Sequence, residues 1–288
     1  MRGYARLLVA FVTALIALPL FLAPSSSAVS PPGRDKVQPL GRAHAHNDYE
    51  HDRPLLDALS HGFTSVEADV WLVDGRLLIG HDAPDPARSL RDTYLEPLRA
   101  VVRKNKGRVY RGSKERFRLY IDVKSEKEAW PTIEAALAEY PDVVTSWTNG
   151  RRRDRAVEVV ISGNRDLPAM ESATTRWSAY DGRMTDLASG IDPELMTVIS
   201  DNWTKQFAWA GVGPMPTAER RRLRRTVLLA HLQGYEVRFW ATPDPPGTPR
   251  ANVWRELIAA DVDQINTDHL ADLERFLTRN DPAERRRR

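Results

Sequence analysis

A chain of 288 residues with a formal charge of +3 is long enough to bury the core of a single α/β barrel, and this charge balance gives no support to a nucleic-acid partner. The absence of cysteine excludes disulfides, thiolate metal sites and a cysteine nucleophile together.

The chain opens with an export pattern over residues 1–28. Arg2 and Arg6 precede an apolar run from Leu7 to Ala23, and small residues follow before a cut after Ala28. The competing reading is an uncleaved membrane anchor; Pro19 and the Ser-rich flank favour processing, which predicts a secreted or extracytoplasmic protein. Removing this signal peptide takes two basic groups and no acidic one from 42 Lys and Arg against 39 Asp and Glu, so the remainder is close to neutral. Residues 29–38 are a Pro- and Ser-rich linker.

From residue 39 to 279, short β-type runs alternate with helical patterns. Strands are predicted over Leu40 to His46, Ser65 to Trp71, Leu77 to Gly80, Phe117 to Val123, Val157 to Ile161, Pro168 to Met170, Met196 to Ser200, Glu236 to Ala241 and Gln264 to Asn266. The turn sequence ending at Gly75 joins the second and third runs as a hairpin, and counting that pair once leaves eight strands. Helical periodicity falls between them at 53–62, 89–104, 128–140, 217–233 and 251–260, with Pro131 in a first turn. The pattern predicts an α/β fold of the (β/α)8 TIM type, with a small hairpin after the second strand. No Gly-rich turn follows the first strand, which argues against a nucleotide fold. Residues 280–288 read as a basic disordered tail. The runs 103–118, 151–155 and 219–225 read as solvated helix faces, with transient contact to an anionic membrane or wall surface as the alternative.

Chemistry concentrates at strand ends. The stretch RAHAHNDYEH, residues 42–51, holds three of the seven histidines. Glu67 and Asp69 lie two apart on a predicted strand, so both carboxylates leave the same face. Such a pair in an otherwise apolar strand is costly unless a cation sits between them. Asp122 repeats the situation on another strand, with Lys124 two residues on. Three carboxylates converging at a barrel mouth make a hard-cation site of the Mg²⁺ or Ca²⁺ type. His81 follows the hairpin, and with the first cluster it places imidazoles from two strands near that metal. Two histidines flanking a metal-bound phosphate act as base and acid, which is phosphodiester chemistry.

The ordered set HAHNDYEH, ALSHGFTSVEADV, DGRLLIGHD, LYIDVK, FWATPD and DVDQINTD resembles the glycerophosphodiester phosphodiesterase and phosphatidylinositol-specific phospholipase C superfamily. The resemblance covers about residues 40–275 and is nearest the branch of the altered-inheritance-of-mitochondria proteins. It implies a phosphodiesterase-type barrel with a divalent cation. A histidine of the first cluster and His81 would form the acid/base pair, Glu67, Asp69 and Asp122 would be metal ligands, and Lys124 a phosphate contact. His44 and His46 both compete for the first role. His46 is preferred because it lies nearer the strand end and its spacing to Glu67 resembles the compact relatives. The usual superfamily opening, His-Arg-Gly, is replaced here by HAHNDYEH, which leaves the glycerol-type substrate open. Trp240, late in a strand, either walls the mouth against the organic part of a substrate or belongs to the core.

The expected activity is therefore that of an exported metal-dependent phosphoric diester hydrolase, glycerophosphodiesterase or phospholipase C-like, acting on a small-molecule or lipid-derived diester. A non-catalytic binding protein on the same barrel is one alternative. A metal-dependent amidohydrolase is the other, and no histidine between His81 and His231 completes its zinc set.

Overall fold

The strand Phe63–Val73 shows how the chain builds its site. Its β-branched and aromatic content favours extended backbone, and alternation sends Val66, Ala68 and Val70 to one face and Ser65, Glu67 and Asp69 to the other. The apolar face joins the main hydrophobic core, while the polar face looks into a barrel. The computed structural model describes residues 37–286, all within the compact unit Lys36–Arg288. The segment 1–28 expected to direct export, and nearly all of the expected linker, lie outside the described residues.

Eight parallel strands form the barrel: β1 (Leu40–Ala45), β2 (Phe63–Val73), β3 (Phe117–Val123), β4 (Val157–Gly163), β5 (Ser178–Gly182), β6 (Val198–Asn202), β7 (Glu236–Trp240) and β8 (Gln264–Thr267). Each pairs with the next in sequence, and β1 pairs with both β2 and β8, which closes the ring. The larger core fills the space between this ring and the outer helices. Inside the ring a small apolar set, Tyr120, Val160, Ala179 and Val198 with Trp147, shares the space with charged side chains.

The expected hairpin is present. Arg76–Ile79 runs antiparallel to the end of β2 through a turn in which Asp74 and Gly75 both have positive φ, 48° and 75°. Asp85–Ser89 adds a further antiparallel strand to it.

Four expectations need correction. Residues 168–170 lie in a helix, Leu167–Ser172, because Asp166 accepts a hydrogen bond from the Ala169 amide at 3.3 Å and Pro168 suits a first turn. The strand expected there is Ser178–Gly182 instead. The helical pattern over 53–62 yields only Leu56–Ser60, and that over 89–104 begins with a π turn, Arg91–Leu95, before Glu96–Lys104. The tail expected to be disordered is helical over Pro282–Arg286, because its acids face β1: Arg42 Nε donates to buried Asp281 at 3.1 Å, and the Gly41 amide to Glu284 at 3.2 Å.

Gly163 ends β4 with φ of 67°, and a Cβ there would collide with Asp122 Oδ1 and the Val123 carbonyl. Gly163→Ala is therefore expected to lose about 2 kcal/mol or more of stability, read as a lowered urea midpoint with an unchanged slope.

Candidate active site

The inward residues of β1, β2, β3 and β7 meet in the barrel. Glu67 and Asp69 come from β2, and register places Asp69 beside Asp122 of β3 and Asp122 beside Ser162 of β4. One carboxylate oxygen from each of Glu67, Asp69 and Asp122 lies within 4.8 Å of the others. Lys124 Nζ is 2.9 Å from Asp69 Oδ2 and 3.2 Å from Asp122 Oδ1. Asp69 Oδ2 also accepts from Tyr49 OH at 2.8 Å and His81 Nδ1 at 2.8 Å. Asp69 Oδ1, equally buried, has no hydrogen-bond partner. An all-oxygen donor set with one orphaned carboxylate oxygen fits a hard divalent cation.

The histidines divide between two levels. His44 is fully buried, with its ring edge against Tyr120 at 5.0 Å between centroids. Arg238 Nη1 donates both to Glu67 Oε2 at 2.6 Å and to His44 Nε2 at 2.8 Å, so the ring proton sits on Nδ1 and is donated to Ser65 Oγ at 2.8 Å. Burial and the Arg238 charge lower the His44 pKa to about 4, so the ring is neutral near neutral pH. His46 lies just past the end of β1. Its Nδ1 is 2.9 Å from Asp268 Oδ1 and its Nε2 is 3.9 Å from Glu67 Oε1. Burial works against charging this ring, but Glu67 and Asp268 outweigh it and raise its pKa. His81, beyond the hairpin, is half exposed and held through Nδ1 by Asp69. His46 and His81 thus reach the acidic cluster from its Glu67 end and its Asp69 end, each with Nδ1 on a carboxylate and Nε2 left for chemistry.

Charge is balanced by groups the sequence reading missed. Arg238 on β7 is 2% exposed; besides Glu67 and His44 it lies 3.7 Å from Asp181 Oδ2 and stacks over Tyr120 at 4.4 Å. Burial opposes ionisation of Glu67, yet Arg238 and His46 hold its carboxyl well below the ordinary range. Asp181 accepts from Ser162, Ser200 and Arg183 at 2.7–2.9 Å. Burial, with Glu67 nearby, pushes Asp122 up to about 6, partly offset by Lys124. The one signal for Arg238 was its even spacing between Glu236 and Trp240 in an apolar strand; Tyr49 gave none. Trp240 is the last residue of β7, half-buried at the mouth.

A family profile described as an AIM6-like phosphodiesterase domain matches residues 34–181. A second, the glycerophosphoryl diester phosphodiesterase family, matches residues 236–271, which hold Arg238, Trp240 and Asp268. The chain is 30% identical to Altered inheritance of mitochondria protein 6 of Eremothecium gossypii, over 88% of this chain and 73% of the relative. It is 32% identical to the homolog in Arthroderma benhamiae, over 78% of this chain and 80% of the relative. The crystal structure of a glycerophosphoryl diester phosphodiesterase from Parabacteroides distasonis superposes with a TM-score of 0.51 over 86% of this chain and 89% of that one, at 14% identity. That likeness is one of fold.

Two outcomes follow from the buried charges. Arg238→Met strands Glu67 without its counter-charge and should cost about 3–5 kcal/mol in chemical denaturation, with part of the loss recovered when Glu67→Gln is added. His44 takes up a proton near its ordinary pKa of 6.5 when unfolded but only near 4 when folded, so the stability it supplies is complete above pH 6.5 and lost as pH falls towards 4. His44→Gln should therefore show a shallower decline than the parent when urea midpoints are compared across that window.

Proposed function

Since the chain belongs to the AIM6-like phosphodiesterase family, we propose that it is an exported, metal-dependent phosphoric diester hydrolase in which His46 and His81 move the protons. The observation that carries this reading is the pair of imidazoles, each fixed through Nδ1 by a carboxylate, at the two ends of the cluster of Glu67, Asp69 and Asp122. Export is supported by the segment of Arg2, Arg6 and the apolar run to Ala23.

Glu67, Asp69 and Asp122 would hold a divalent cation of the Mg²⁺ or Ca²⁺ type, which neutralises phosphate charge and orients the diester when bound. One histidine takes the proton of the attacking hydroxyl at Nε2, and the other gives its Nε2 proton to the departing oxygen, so the P–O bond that forms replaces the one that breaks. Asp268 and Asp69 stabilise the ring that becomes charged and keep each ring in the tautomer the step needs. Lys124 supplies a cationic contact for the phosphate, and Trp240 offers its face to the organic part of the substrate. Arg238 and His44 take no proton in turnover; they support Glu67 from below.

The test is hydrolysis of bis(p-nitrophenyl) phosphate and a panel of glycerophosphodiesters, with EDTA, Mg²⁺ and Ca²⁺ compared and cation binding followed by calorimetry. His46→Ala and His81→Ala are each expected to lose about 10²–10⁴-fold in turnover while still binding the cation. Asp122→Ala should lose both. A folded chain that binds the cation and turns over no diester would sink the proposal and leave a binding protein on a phosphodiesterase barrel.

A further inference from the structure

The helix Thr217–Leu232 connects β6 to β7 and turns Leu223, Val227 and Ala230 onto the barrel. The face directly opposite carries Arg221, Arg224, Arg225, Leu228, Leu229 and Leu232, which recur at helical spacing of three and four along the outer side. Leu228 is 58% exposed and Leu232 74%, and three of the six large apolar side chains exposed among the described residues lie on this one stripe. The guanidiniums of Arg221, Arg224 and Arg225 make no ion pair or hydrogen bond among the described residues. Glu219 is the only acid in the helix, and it is used on the inner side, where it accepts from the Trp209 amide at 3.1 Å.

Bare leucines interleaved with arginines that pair with no acid make a face both apolar and cationic, and the combination selects its partner. We propose that this face docks on an anionic phospholipid bilayer, with the leucines entering the headgroup boundary and the arginines meeting lipid phosphates. A nucleic acid or an anionic wall polymer would use the arginines and leave the leucines in water. A second copy of the chain packed on the same face would bring six guanidiniums together with no carboxylate between them. No described helix is long and apolar enough to cross a membrane, so the contact is peripheral. Because β6 and β7 are parallel, the helix between them runs antiparallel to the barrel strands along its wall. Docking therefore lays the barrel on its side, with the mouth opening along the membrane surface at headgroup level, and leaves hydrolysis of a soluble diester independent of it.

The test is sedimentation with vesicles of phosphatidylglycerol and phosphatidylcholine, or of phosphatidylcholine alone. It is run on the full chain and on the unit Lys36–Arg288, which contains the closed barrel and its core. Binding is expected only to the anionic vesicles, weakening with added salt. It should fall about tenfold or more in Arg221→Glu/Arg225→Glu, and likewise in Leu228→Ser/Leu232→Ser, with circular dichroism unchanged. The proposal is overturned if the unit binds neither vesicle or binds both equally, or if either double variant binds as the parent does. A concentration-dependent dimer that the leucine substitutions abolish, without vesicle binding, would overturn it in favour of a second copy.

Discussion

The ion pair between Arg238 and Glu67 crosses the inside of the barrel from β7 to β2, and the candidate site rests on it. Glu67 is buried below the mouth, where an ionised carboxylate is costly to hold. Arg238 meets that cost with a 2.6 Å contact to one oxygen and leaves Oε1 towards His46. The same guanidinium donates to His44, which fixes that ring as neutral and its proton on Nδ1, and reaches Asp181 on the far wall. One cation thereby holds Glu67 ionised, adds to the larger effect of Arg183 on Asp181 and sets the tautomer of a histidine. Each of these groups supports a side chain nearer the mouth, so a change at Arg238 is felt where it makes no contact.

Such an interior needs stabilising from elsewhere. The division of residues along β2 supplies it: every second side chain is apolar and joins the core between ring and helices, which holds the barrel closed whatever lies within. Inside, Tyr120, Val160, Ala179 and Val198 form a thin apolar layer. Arg238 on β7 is paired with Glu67 on β2 and lies near Asp181 on β5, strands that are not its neighbours, so it acts as a cross-brace as well as a counter-charge. The polar interior is the feature that distinguishes this barrel from one filled with branched aliphatic layers.

Much of this was legible in the sequence because it depends on spacing of two. Glu67 with Asp69, and Asp122 with Lys124, share faces by the geometry of a strand alone, and their convergence needed only a closed parallel sheet. The spacing of Arg238 between Glu236 and Trp240 did not reveal its role, since a single arginine in an apolar strand reads the same whether it points outward to solvent or inward to a partner 171 residues away. The strand Ser178–Gly182 was missed for a related reason. Its inward side is Ala179 and buried Asp181, so it lacks the apolar run that marks a barrel strand, whereas Leu-Pro-Ala-Met at 167–170 has one and folds as a helix.

The first loop shows how densely a short segment can be used. Within residues 44–49, His44 lies inside the barrel and His46 one level higher at the mouth, because positions two apart on a strand share its inward face. Asn47 then takes a left-handed turn with φ of 46° that ends the strand. Asp48 accepts from the Leu55 amide at 2.6 Å and from Tyr94 at 3.0 Å, which pins the loop to the helical layer, and burial pushes its carboxyl up to about 7. Tyr49 reaches back across the mouth, donating to Asp69 and lying 2.9 Å from His81 Nδ1. The loop that carries one proton-transfer candidate therefore also holds the carboxylate that orients the other. The imidazole that follows β1 and the one that follows the hairpin are thus linked through a single loop, which carries His46 and whose Tyr49 hydroxyl touches both Asp69 and His81.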